Sequence, residues 1–163
     1  MKMILVGISK MKYIIRETTN QDTEFICRIN KYAMGYDYPK EKTKYQLEKV
    51  LCDDNQKIFV AEIEHLVVGY VHATKNDLLY ANSMVNIMGV AVLEEYRHNG
   101  IATKLMDSVE EWAKIIGADA IRLTSGKERE EAHKFYDNVG FERKKEQINF
   151  VRRLERMGEK YEP

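Results

Sequence analysis

The stretch that most constrains this chain is Val90-Ala-Val-Leu-Glu-Glu-Tyr-Arg-His-Asn-Gly-Ile-Ala102. An apolar run ends there, a short charged turn follows, and a helix rich in small residues starts at once. Such a helix start leaves backbone N–H groups without intrahelical partners and carries the positive end of the helix dipole. Gly100 and Ala102 keep side-chain bulk away from it, so a phosphate can approach the backbone closely. The fold must therefore feed a strand directly into a helix, and the ligand expected at that junction bears a phosphate.

Around the junction, strand and helix patterns alternate. Tyr13–Glu17 reads as a strand, and Thr19-Asn-Gln-Asp22 has the spacing of a capping box. Phe25, Ile26, Ile29 and Ala33 then recur at helical intervals. Gly35-Tyr-Asp-Tyr-Pro39 breaks that helix, and Pro39 suits the first turn of a second one reaching Cys52. Lys57–Ile63 and Leu66–Ala73 are apolar runs separated by Glu64-His65, the pattern of a hairpin. Asn76–Ser83 reads as a polar connection, and Met84–Val92 as a strand buried on both faces. From Ile101, apolar positions 101, 102, 105, 109, 112, 113 and 116 trace one helical stripe, which Gly117 stops. A strand at Ala120–Thr124, a helix at Glu128–Asn138 and a strand pair at Phe141–Glu146 and Gln147–Leu154 complete the order βααβββαβαββ. That order implies an α/β (α+β) chain, with a mixed sheet of about 6–7 strands covered by about four helices.

Composition narrows the function classes. The 26 basic and 26 acidic side chains cancel, so no global field draws the chain to nucleic acid. No apolar run approaches the ~18 residues of a membrane span. Cys27 and Cys52 lack metal-ligand or Cys-x-x-Cys spacing and read as small buried hydrophobes of a reduced compartment. A cytoplasmic protein without a metal is expected. At 163 residues the chain is most simply one domain. Residues 1–10 carry an apolar core, Met3–Ile8, too short for a signal peptide, and no small-residue cleavage site follows. They read as an extension of unknown role before a domain over 11–154, with a charged tail over 155–163.

Two segments resemble the signatures of one family. Arg97-His-Asn-Gly-Ile-Ala102 resembles the pyrophosphate-binding motif Arg/Gln-x-x-Gly-x-Gly/Ala of the GCN5-related N-acetyltransferases (GNAT). Ala132-His-Lys-Phe-Tyr-Asp-Asn-Val-Gly-Phe141 resembles that family's second motif, Ala-x-x-Phe-Tyr-x-x-x-Gly-Phe. Glycine before a helix is commonplace, so neither fragment is specific alone. Both in this order, within this alternation of elements from Tyr13 to Leu154, make the resemblance specific.

The resemblance implies the GNAT-type acyl-CoA N-acyltransferase fold, acetyl-CoA as donor and an amine as acceptor. Backbone N–H groups of Arg97, His98, Asn99, Gly100, Ile101, Ala102 and Thr103 would hold the pyrophosphate. Val90 and Val92 would pair their main chain with the pantetheine arm, and a backbone N–H near Val92 would serve the oxyanion. Tyr136 matches the tyrosine that protonates the departing thiolate. Arg129 stands where an asparagine often contacts the coenzyme, and His133 is placed to touch the cofactor or Tyr136. The acceptor pocket would be lined by the first two helices and the last strand pair, pointing to Tyr32, Tyr36, Tyr38 and Lys144–Asn149. Dimerisation is common in the fold, so a homodimer is an expectation that no residue here fixes.

The chemistry has one gap. Deprotonating an amine of pKa about 10.4 at pH 7 costs about 4–5 kcal/mol, so proton removal is the larger demand. Many members carry a glutamate on the central strand, where this chain has Met88. A thioether cannot take a proton, and no base is assigned from the sequence. The alternative is a non-catalytic acetyl-CoA-binding sensor or scaffold.

Overall fold

A computed structural model describes residues 11–154. The ten-residue extension and the charged tail lie outside the described residues. By its contacts the chain divides into two compact units, between Thr124 and Ser125.

The first unit holds β1 (Ile14–Glu17), α1 (Thr23–Met34), α2 (Lys40–Leu51), β2 (Gln56–Ile63), β3 (Leu66–Leu78), β4 (Ala81–Val92), α3 (Ile101–Ile115) and β5 (Ala120–Arg122). The strands form one sheet in sequence order, antiparallel except for the parallel pair β4–β5. The helical periodicities were legible because each marks a buried stripe. On one face, Ile29 of α1 packs with Val60, Val67, Ala91 and Leu93, while Ile26 and Leu47 of α1 and α2 meet Ile58. On α3, Ile101, Leu105, Met106, Val109, Trp112 and Ala113 are buried, and the helix packs against β1 to β5. Strand alternation gives α3 the opposite set, including Val71, Ala73, Val85 and Ile87.

Gly69 permits the close approach of β3 and β4. A Cβ there would stand 2.9 Å from the Ala91 carbonyl oxygen and 3.0 Å from Cγ2 of Val92.

Several expectations are corrected. Asn76–Ser83 is not a connection, because Asn76 pairs with Met84 and Leu78 with Ala81, leaving Leu79-Tyr80 as the turn. Backbone pairing, not side-chain polarity, decides that stretch. β4 is not buried on both faces, since Met88 is 57% exposed. His72 pairs with Gly89 and Ala73 with Ile87, so Met88 is an extra residue and the strand bulges there. Pro39, expected in the first turn of α2, is its N-cap, and β5, expected to reach Thr124, ends at Arg122. Cys52 caps α2 beyond its last buried turn and is exposed, and Cys27 is only partly buried.

The second unit, from Ser125, contains α4 (Glu130–Asn138). The expected strand pair after it is absent among the described residues, and residues 141–154 carry no helix or strand. Ile148, Phe150, Val151 and Leu154 are each at least 77% exposed. Alternation alone does not make a strand when no neighbour accepts its backbone hydrogen bonds and covers its apolar face. Among the described residues the sheet therefore has five strands.

One polar cluster ties β1, β2 and the entry to α1. The Arg16 guanidinium grips Asp22 with two bonds of 2.8 Å and Glu62 through Nε at 2.6 Å. Asp22, whose side chain is only 4% exposed, also accepts the Thr19 N–H at 2.8 Å, completing the expected capping box. Burial works to raise the Asp22 pKa, but the Arg16 and Thr19 hydrogen bonds outweigh it, and the carboxyl lies below its ordinary value. This contribution to stability is fully present above the unfolded pKa of about 3.9 and is lost as pH falls through the lower folded value. Asp22→Ala is expected to cost about 2–3 kcal/mol in urea unfolding at pH 7, by leaving the Thr19 N–H unsatisfied and Arg16 with Glu62 alone. The difference from the parent should shrink as the pH is lowered through that window.

Candidate active site

The edge of β4 is the first element of the site. The Leu93 N–H donates to the Val68 carbonyl at 2.9 Å, toward β3. Antiparallel alternation then turns the N–H and C=O groups of Val92 and Val90 to the other edge. There β5 pairs only with Met84, Val85 and Asn86, and on that edge no described strand pairs with Gly89–Val92, whose partner on the other edge is β3. The bulge at Met88 bends β4 where β5 leaves it. An open edge of main-chain donors and acceptors results.

That edge runs into the helix start. Leu93 is buried and anchors the turn Glu94–Tyr96, after which Arg97 is extended. The Arg97 Nε donates back to the Val92 carbonyl at 3.0 Å. Asn99 donates its side-chain amide to the carbonyls of Tyr96 and Arg97, at 3.1 and 3.0 Å. His98 has φ 62°, a region a non-glycine residue enters at a cost of about 1–3 kcal/mol. Gly100, with φ 79°, is the N-cap of α3. No side chain caps the helix, no acidic residue lies in its first turn, and its first intrahelical bond runs from the Lys104 N–H to the Gly100 carbonyl. The Ile101, Ala102 and Thr103 amides therefore have no helical acceptor. The Ile101 side chain is buried as the helix anchor, so only its backbone can serve a ligand. A phosphate group fits this cradle by charge, by donors and by the missing Cβ at Gly100.

Within the second unit, Tyr136 is partly buried between Phe135 and Phe141, edge-on to both at 5.4 and 5.9 Å. Burial raises its pKa above the ordinary phenol value, opposed by the Arg129 charge, so the hydroxyl carries its proton at neutral pH. His133 sets Nε2 2.9 Å from the Gly126 carbonyl, which can only accept, so the ring pins the loop before α4. Arg129 is exposed at the N-cap of that helix.

The remaining expected residues separate. Tyr32, with Arg28, Leu93, Glu94 and Glu95, lines a cavity of about 420 Å³ beside the end of β4. Tyr36 and Tyr38 are exposed and do not line it, and the expected Lys144–Asn149 hairpin is not formed. Met88 stands at the bulge, its sulfur accepting the Asn86 side-chain N–H at 3.2 Å. The Arg97–Val92 bond and the Asn99 pins were not foreseen; short polar side chains in a turn signal such bonds without naming their acceptors.

Because Gly100 is left-handed and a Cβ there would lie 3.5 Å from the Tyr13 hydroxyl, Gly100→Ala is limited by backbone strain rather than space. A loss of about 1–2 kcal/mol is expected. In thermal unfolding, it should lower Tm by about 2–8 °C.

Comparison with known proteins bears on this geometry. Residues 20–141 match the model of the acetyltransferase (GNAT) family. The chain is 28% identical over 152 residues to an uncharacterized N-acetyltransferase of Methanocaldococcus jannaschii, covering 89% of this chain and 67% of that one. It is 28% identical over 138 residues to an N-alpha-acetyltransferase of Sulfurisphaera tokodaii, covering 80% of each. Aminoglycoside N-acetyltransferase AAC(6')-Iy, solved in complex with CoA, matches with a TM-score of 0.80 at 20% identity, over 91% of this chain and 100% of that one, and shares the fold. With a strand edge opening into an uncapped helix start and a family match over most of its length, the chain belongs to the GNAT acetyltransferase family.

Proposed function

We propose that residues 11–154 act as one acetyl-CoA-dependent N-acetyltransferase domain, transferring acetyl to a primary amine of a small molecule or protein by direct attack in a ternary complex. The observation that carries this reading is the open Gly89–Val92 edge leading into the amides of Ile101–Thr103. A pyrophosphate held at the helix start directs the pantetheine arm back along Val92 and Val90, which brings the thioester to the bulge at Met88. The relatives' names, one of them an N-alpha-acetyltransferase, support an amine acceptor.

The roles follow from the chemistry. The amides from Arg97 to Thr103 neutralise phosphate charge, and the outward Val92 N–H is aimed to stabilise a developing oxyanion. Arg129, at the N-cap of α4, and His133, within the second motif, are assigned to the coenzyme, and Tyr136 to the departing sulfur. A cytoplasmic location and a homodimer complete the proposal; no described helix is long and apolar enough to cross a membrane.

The test is release of free thiol from acetyl-CoA with a panel of amines: a tetrapeptide with a free N-terminus, 2-aminoethylphosphonate and an aminoglycoside. Turnover with at least one is expected; tight acetyl-CoA binding in a thermal shift with no transfer to any would favour the sensor reading. Tyr136→Phe is expected to lower kcat by about 10–10³-fold while acetyl-CoA binding persists. Unchanged kcat in the folded variant would remove Tyr136 from the reaction.

A further inference from the structure

We propose that the His72 imidazole is the base that takes the proton from the acceptor amine, filling the place that Met88 leaves empty. The assignment rests on the acyl-transfer reading above and names a group that reading lacks.

His72 pairs directly with Gly89, the residue after the bulge. Its side chain lies on the α1–α2 face. Tyr70, two residues before it, donates its hydroxyl to Asn30 of α1 at 2.6 Å, and Ile58, paired with His72 from β2, packs against Ile26 and Leu47. Toward β4 the ring has a glycine for its neighbour. The nearest atom to the space above Gly89 is Cε of Met34, 3.3 Å from where a Cβ would stand, the far end of a flexible side chain. His72 is thus the titratable side chain that the β3–β4 register sets beside the bulge.

The hydrogen-bond chain behind it determines which nitrogen is free. Gln56 donates its side-chain N–H to Asp53 at 2.9 Å, which turns its carbonyl oxygen toward the ring, 2.8 Å from Nε2. A carbonyl only accepts, so Nε2 carries the hydrogen and Nδ1 keeps its lone pair. No described residue bonds Nδ1. Burial lowers the His72 pKa, keeping the ring neutral at physiological pH. The ionisable groups tied to it are Tyr70, two residues before it on the same face, pushed up to about 12 by burial and so neutral, and Asp53, which reaches the ring only through Gln56. Its β4 neighbours, Asn86, Met88 and Gly89, do not titrate.

In the step assigned to it, the neutral amine nitrogen forms a C–N bond with the thioester carbonyl carbon. That nitrogen becomes positive, and its N–H is then acidic enough for a neutral imidazole. The proton passes to Nδ1, the C–S bond breaks with its electron pair on sulfur, and the sulfur takes a proton from Tyr136. Gln56, backed by the Asp53 carboxylate, stabilises the imidazolium until it returns its proton to water, from which Tyr136 is reprotonated.

The experiment uses the full chain and the amine of the panel turned over fastest. Below the amine pKa, log kcat/KM rises with pH at slope one. Below the His72 pKa the slope is expected to steepen to two, and in His72→Gln the steepening is expected to vanish. That variant should lose about 10²-fold or more in kcat, with acetyl-CoA binding unchanged by thermal shift. Parental kcat and parental steepening in a folded His72→Gln would overturn the assignment. Should that variant not fold, Gln56→Leu keeps the ring and removes its Nε2 acceptor; a lower kcat and a displaced steepening support the base, and an unchanged profile overturns it. No transfer by the parent chain would overturn the acyl-transfer reading and this assignment together, whereas an active enzyme indifferent to His72 overturns this assignment alone.

Discussion

The β3–β4 ladder holds everything else in register, and it does so by leaving one residue out. With His72 opposite Gly89 and Ala73 opposite Ile87, Met88 is expelled from the pairing. Side chains on either side of it therefore keep their proper faces: Val85 and Ile87 are buried on the side of α3, and Ala91 and Leu93 on that of α1. An unbulged ladder would turn one of these sets onto the opposite face of the sheet. The same irregularity bends β4 away from β5 and leaves the outward main chain of Val90 and the Val92 N–H without a strand partner, while the Val92 carbonyl accepts from Arg97. Stability and the open edge thus share one cause. Gly69 sits on the same ladder, opposite Val92, where its missing side chain lets the two strands close together.

Around that ladder the two helical faces differ in how they are secured. The α3 face is held by apolar burial along an uninterrupted stripe. The other is also held by polar ties, with Asp22 and Arg16 binding the start of α1 to β1 and β2, and Tyr70 reaching Asn30. A largely buried carboxylate with both a guanidinium and a backbone N–H is satisfied on each oxygen, which is why it tolerates removal from water.

How much of this was legible in the sequence depends on the range of the forces involved. The capping box at Thr19–Asp22 and the stripe from Ile101 are local patterns; the box is present, and the stripe holds at 101, 105, 109, 112 and 113, with Met106 buried beside it. The motif at Arg97–Ala102 was legible only together with the second motif at Ala132–Phe141, and the structure adds that its Gly100 is left-handed. The bulge was not, because it depends on which residue of β3 each residue of β4 faces. The strand at Asn76–Leu78 was hidden for the same reason, polar side chains on a backbone that pairs anyway. The pair expected after Phe141 failed in the opposite direction, alternation without a partner. His72 drew no notice as a residue within an apolar run, and only the register and the Gln56–Asp53 chain give it significance.

The turn between β4 and α3 carries a consequence for the energetics of ligand capture. His98 and Gly100 hold positive φ angles, and Asn99 and Arg97 fasten the intervening backbone with side-chain hydrogen bonds made entirely within the protein. The strain in that turn is met when the chain folds, before any anion arrives. A ligand docking there need not order a floppy segment, so the entropic penalty that usually erodes the affinity of loop-built sites is largely removed in advance. The donors are preorganised, and selectivity at this end of the site is a matter of shape as much as of charge.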